Sequence, residues 1–141
     1  MDNYLFAVNV DESFFLQKIM LQCQNYLECL IKTYKRFDKL PERVELACSQ
    51  LDNVESIISQ INDFLNNIDP EIGNIYIFEL NKSEIYTIFW ELCVCQRDFE
   101  LSLLYSLDDI ENVTQDDIDC ETDRCNIIAN LLKRLTRELI G

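Results

Sequence analysis

The feature that most constrains this chain is the spacing of its apolar residues. Val44, Ala47, Leu51, Val54, Ile58, Ile61, Leu65 and Ile68 recur three and four residues apart. That places one apolar side chain per turn on a single helical seam, the pattern of a helix that packs along another helix. Related seams run through Leu16, Ile19, Cys23, Leu27, Leu30, Tyr34 and Phe37, and through Ile85, Ile88, Leu92, Cys95, Phe99 and Leu103. A fourth joins Ile118, Cys125, Ile128, Leu132, Leu135 and Leu139. The expected fold is all-α: an antiparallel four-helix bundle with heptad, coiled-coil-like packing and a short N-terminal arm. The helices are expected over about 12–38, 41–68, 83–107 and 115–140, in a single domain spanning 1–141.

Local signals set these boundaries. Asp11 or Ser13 can cap the first helix, and Ser83 the third. Pro41 suits the first turn of the second helix, where its missing N–H costs little. Pro70 and Gly73 end that helix. Thr114 with Asp117 three residues on resembles a capping box. Tyr4, Leu5, Phe6, Val8 and Val10 read as an extended arm packed on the body. Residues 74–80 alternate as a strand would, but a lone strand has no partner. They are expected to be an extended or irregular connector whose aromatics cap the bundle. No internal repeat is read beyond the heptads.

Composition narrows the class further. The chain has 141 residues, of which 48% are hydrophobic, enough for a sizeable core. Two glycines and two prolines are too few for the many tight turns of an all-β fold. A formal net charge of −14 disfavours direct binding to nucleic acid or to an anionic membrane, and allows a basic partner. Seven cysteines, an odd number, follow a start, Met1-Asp-Asn-Tyr, that lacks the parts of a signal peptide. The expectation is an intracellular protein, cytoplasmic or nuclear, with reduced thiols. Sixteen isoleucines and twelve asparagines against three alanines suggest an AT-rich coding sequence, as in many viruses.

Reaction chemistry finds little to work with. There is no histidine for acid–base catalysis at neutral pH, and no glycine-rich phosphate loop. Asp117, Asp119, Glu121 and Asp123 alternate like a calcium loop, but Thr122 stands where the loop needs glycine and Ile128 where it needs glutamate. Cys93-Val-Cys95 and Cys120 with Cys125 lack the usual Cys-x-x-Cys spacing for zinc. The chain is expected to be no enzyme and to carry no metal or cofactor.

Two features point instead to binding another protein. The third helix has a second apolar stripe, Tyr86, Trp90, Val94, Leu101 and Tyr105. A helix apolar nearly all round is either central to its fold or partnered on its other face. Asp108, Asp109, Glu111, Asp116, Asp117, Asp119, Glu121 and Asp123 form an acidic cluster near the join of the third and fourth helices. Lys32, Lys35, Arg36, Lys39 and Arg43 form a basic patch at the join of the first two. In an up-down bundle these joins share one end and partly neutralise each other. The expected function is a non-enzymatic protein-interaction module: an adapter, a scaffold subunit or an inhibitor. Its partner would be a basic or helical protein, or a second copy in a homodimer. Two other classes are a self-assembling structural protein and an acidic decoy that mimics nucleic acid.

A central apolar helix, this length, the many cysteines and the acidic surface resemble the virus-encoded Bcl-2-like proteins. That resemblance implies a helical groove that captures a host helix or blocks a signalling adaptor. The family's Trp-Gly-Arg type signature is not present, since Trp90 is followed by Glu91-Leu92.

Overall fold

The computed structural model describes residues 3–37, 40–68, 75–107 and 114–140, without the side chains of residues 99 and 102–107. The order of elements is β1 (Tyr4–Asn9), α1 (Val10–Phe37), α2 (Pro41–Asn66), β2 (Ile75–Leu80), α3 (Lys82–Leu107) and α4 (Gln115–Ile140). Helix dominates, as the seams require, and the four helices lie within two residues of their expected limits. The chain divides into two compact units, Met1–Thr87 and Ile88–Gly141, with α3 running across the division.

The N-terminal arm and the connector are both strands, which corrects the expectation for residues 74–80. β1 and β2 pair antiparallel, with Tyr4 opposite Leu80, Phe6 opposite Phe78 and Val8 opposite Tyr76. Each strand lacked a partner only while the other was read as irregular. Alternation does the rest: Phe6, Val8, Phe78 and Leu80 are buried on one face, while Leu5, Ile75 and Ile77 are exposed on the other. Phe64 of α2 stacks on Tyr76 at 5.0 Å between ring centroids, and Tyr76 meets Phe78 edge-on at 4.8 Å. Such pairs prefer these offset and T-shaped geometries because ring edges are positive and faces negative.

Each strand passes directly into a helix through the same cap. The Asn9 N–H donates to Glu12 Oε1, and the Glu12 N–H donates to Asn9 Oδ1 at 2.8 Å. The Asn81 N–H donates to Glu84 Oε1, and the Glu84 N–H donates to Asn81 Oδ1 at 2.8 Å. Both are capping boxes built on asparagine, and each satisfies two backbone donors that the helix start leaves unpaired. They displace Asp11, Ser13 and Ser83 as the expected caps. The third box falls where expected: the Thr114 N–H donates to Asp117 Oδ2 and the Asp117 N–H to Thr114 Oγ1. Pro41 opens α2 without a side-chain cap.

In the first unit α1 and α2 pack against each other. Gln17, early in α1, donates to Asn62 Oδ1, late in α2, so the two run antiparallel. The buried apolar residues of α1 are Leu16, Ile19, Met20, Cys23, Leu27 and Ile31, with Phe37 exposed at the end of its seam. Those of α2 are Ala47, Val54, Ile57, Ile58 and Ile61. Its outermost seam residue, Ile68, is exposed, and Ile57 beside the seam is buried.

In the second unit the buried residues are Ile88 and Leu92 of α3 and Ile128, Leu131 and Leu135 of α4. Among the described side chains none from Cys93 to Ile127 is buried. Ile118, read as a seam residue, is 42% exposed. Seam spacing marks every apolar residue along a line. Burial reaches only as far as a neighbour covers that line. No helix of the described residues is long and apolar enough to cross a membrane.

Candidate functional site

The site begins with how α3 is set in its rotation. Its first turn is tied to α2 by two side-chain bonds, Asn53 Nδ2 donating to Ser83 Oγ and Ser56 Oγ donating to Glu84 Oε2, both at 2.7 Å. Glu84 is buried and accepts from its own cap as well. Further along α3, Ile85, Ile88 and Leu92 are fully buried. At about 100° per residue, Tyr86, Trp90, Val94 and Leu101 then fall within an arc of about 80° on the opposite side.

That stripe is exposed. Trp90 is 67% exposed and Tyr86 48%, with Val94 and Leu101 also open to solvent. Lys82 Nζ sits 5.9 Å from the Tyr86 ring centroid, within cation–π range. By helical phase Arg97 lies among the apolar residues, Glu91 and Asp98 border one side of the stripe, and Glu100 borders the other. The stripe is therefore mainly apolar with one arginine within it, and its margins are mainly acidic. Tyr105, the fifth residue expected there, lies outside the described side chains.

The acidic cluster is only partly described. Asp108, Asp109 and Glu111 lie outside the described residues. Asp116, Asp117, Asp119, Glu121 and Asp123 occupy the first turns of α4. Asp117 serves the cap, Asp119 accepts from Gln115 Nε2, and Glu121 pairs with Arg124 at 3.7 Å. By helical phase Asp116, Asp119 and Asp123 share one face of α4, and Asp117 and Glu121 another. Among the described residues no group of three Cys, Asp or Glu side chains is placed to hold a metal.

None of the seven cysteines is in a disulfide. Burial pushes the Cys95 thiol above its ordinary range, and Glu91 and Asp98 push it further. Burial likewise raises Cys125, helped by Glu121 and Glu100. Neighbouring carboxylates disfavour the thiolate, the opposite of what a reactive cysteine needs.

The structure also opens apolar surface that the heptad reading missed: Leu5, Ile75 and Ile77 on the outer face of the sheet, and Phe14 and Leu21 on α1. The signal for the first group was present in the alternation of Ile75 and Ile77 with Tyr76 and Phe78. It became legible only once the strand had a partner.

No family model, curated protein or solved structure matches this chain.

Proposed function

We propose that this protein is a non-enzymatic interaction module, an adapter, scaffold subunit or inhibitor, that holds a helix of another protein against the outer face of α3. The observation that carries this reading is the exposure of Trp90 at the centre of an apolar stripe. Tryptophan is the residue type most enriched at the energetic centres of interfaces, and an isolated helix groove is read by apolar anchors at helical spacing. The antiparallel, heptad-packed bundle belongs to the same proposal, because a packed scaffold presents the stripe at little entropic cost. So does an intracellular, reducing setting for cysteines that form no disulfide. The acidic residues of α4 and of 108–111 would raise the encounter rate with a basic partner without adding much affinity.

Trp90 is the sole tryptophan, so it reports on its own site. Its emission should be that of a water-exposed indole, readily quenched by iodide. In the presence of a bound partner it should move to shorter wavelength and lose its quenching. Trp90→Ala should leave the helical circular dichroism and melting unchanged while weakening partner binding at least about tenfold, the size of an interface hot spot. A buried-type emission from the free monomer would refute the reading. Light scattering of the reduced protein across a range of concentrations separates a homodimer from an unlike partner.

A further inference from the structure

We infer that the chain is two copies of one β–α–α unit in tandem, and that the first helix of the second copy has exchanged polar residues of its outer face for apolar ones that take a basic-flanked amphipathic helix. The second clause rests on the interaction reading above; the first does not.

The duplication is carried by sequence and structure together. Tyr4-Leu-Phe-Ala-Val-Asn9-Val-Asp-Glu12 lies on Tyr76-Ile-Phe-Glu-Leu-Asn81-Lys-Ser-Glu84, identical at Tyr, Phe, Asn and Glu. The identical Asn and Glu make the same pair of reciprocal cap bonds in both copies. Phe6 and its counterpart Phe78 sit directly opposite each other in the ribbon. Tyr4 faces Leu80 as Val8 faces Tyr76, so the strands pair symmetrically about that point. In the helices that follow, buried Leu16 and Met20 correspond to buried Ile88 and Leu92, and Cys23 corresponds to Cys95. In the second helices, buried Val54, Ile57 and Ile61 correspond to buried Ile128, Leu131 and Leu135. A heptad pattern alone would match helices at many registers. It would not match two strands, two caps and the burial that follows them.

The copies serve as controls for each other. An aromatic ring stands exposed at the start of both helices, Phe14 at 53% and Tyr86 at 48%. Beyond it they diverge. Where α1 carries Lys18, Gln22 and Cys29, α3 carries Trp90, Val94 and Leu101, all at exposed positions. The same scaffold therefore tolerates polar residues at positions 90 and 94, and the apolar ones there answer to something outside the fold. Charge selects the occupant: Glu91, Asp98 and Glu100 at the borders outnumber Arg97 within the stripe and Lys82 at its start, and the chain carries −14, which favours a basic partner over a second copy. A helix with an apolar face and lysine or arginine margins fits.

The test transplants the first copy into the second as Trp90→Lys with Val94→Gln. The full-length variant should melt within about 3 °C of wild type, as exchanges at exposed positions do. A synthetic amphipathic helix with leucines at i, i+3, i+4 and i+7 is the probe, made with lysine or with glutamate margins. By calorimetry the lysine form should bind wild type at least about tenfold more tightly than the glutamate form, and lose that affinity on the variant. Equal binding of the lysine peptide to wild type and to a charge-neutral Trp90→Gln, Val94→Gln variant would overturn the docking site. A wild-type dimer that Trp90→Lys, Val94→Gln converts to monomer would make the occupant a second copy and overturn the choice made here. A folded variant with neither peptide binding nor dimer would sink the interaction reading while upholding the duplication. A variant that unfolds would overturn the equivalence of the two helices.

Discussion

Asn81 and Glu84 carry more of this structure than their polarity suggests. Glu84 is buried, yet both its carboxylate oxygens are used, one by the Asn81 N–H and one by the Ser56 hydroxyl. Glu84→Ala leaves those donors unpaired in a covered site, so chemical denaturation should show a loss of about 1–3 kcal/mol. Asn81→Ala removes the other half of the box and should cost about 1 kcal/mol. Thr114→Ala, at an exposed cap, should cost less than Glu84→Ala. Cysteine chemistry separates at the same scale. Cys29 and Cys120 are exposed, while Cys95 and Cys125 are partly covered, and burial first and nearby carboxylates second disfavour their thiolates. Timed alkylation at neutral pH, read by mass spectrometry, should label Cys29 and Cys120 first. Early labelling of Cys95 would contradict the electrostatic account.

Helices α2 and α4 show how far a seam is used. Ile61 of α2 has seam neighbours at Ile58 and Leu65, whereas Ile118 of α4 has Glu121 and Thr122 where the next seam residue would stand. Ile61 is fully buried and Ile118 is not. Ile61→Ala should therefore cost about 2–5 kcal/mol, through lost burial and the cavity left behind. Ile118→Ala should stay within about 0.5 kcal/mol of wild type. Hydrogen exchange should follow the same division. Amides of α4 before Ile128 should exchange faster than those from Ile128 to Leu135, because local opening there exposes no buried side chain. Strand β2 is the opposite case, an element whose signal was visible but whose partner was not. Its register with β1 decides which of its aromatics are core.

For the whole chain, charge and proton binding set the response to pH. The thiols of Cys95 and Cys125 and the phenol of Tyr76 all titrate higher in the folded protein than in the unfolded chain, Tyr76 through burial and then Asp63. A raised folded value means the native state holds its proton where the unfolded state has released it. These groups then contribute nothing unfavourable at neutral pH, and stability falls as pH rises through about 8.5 to 10. Denaturation midpoints should fall over that range, and less so in Cys95→Ser, Cys125→Ser. An alkaline profile unchanged by that pair would show that Tyr76 and the net charge dominate.

The apolar spacing determined the number and most of the inward face of the four helices, and caps and prolines their limits, because a 3.6-residue period and a cap are local properties of the chain. Charge and the absence of histidine likewise narrowed the chemistry without any coordinates. What only the tertiary structure decided was long-range. It paired Tyr4–Asn9 with Ile75–Leu80 across most of the first unit, a contact that no local window contains. It buried Ile57 and left Ile118 and Ile68 uncovered, since burial depends on what lies opposite. It also turned the second stripe of α3 outward. Both stripes of that helix are apolar, so its period does not say which is covered; that Ile85, Ile88 and Leu92 are the buried ones depends on what packs against them.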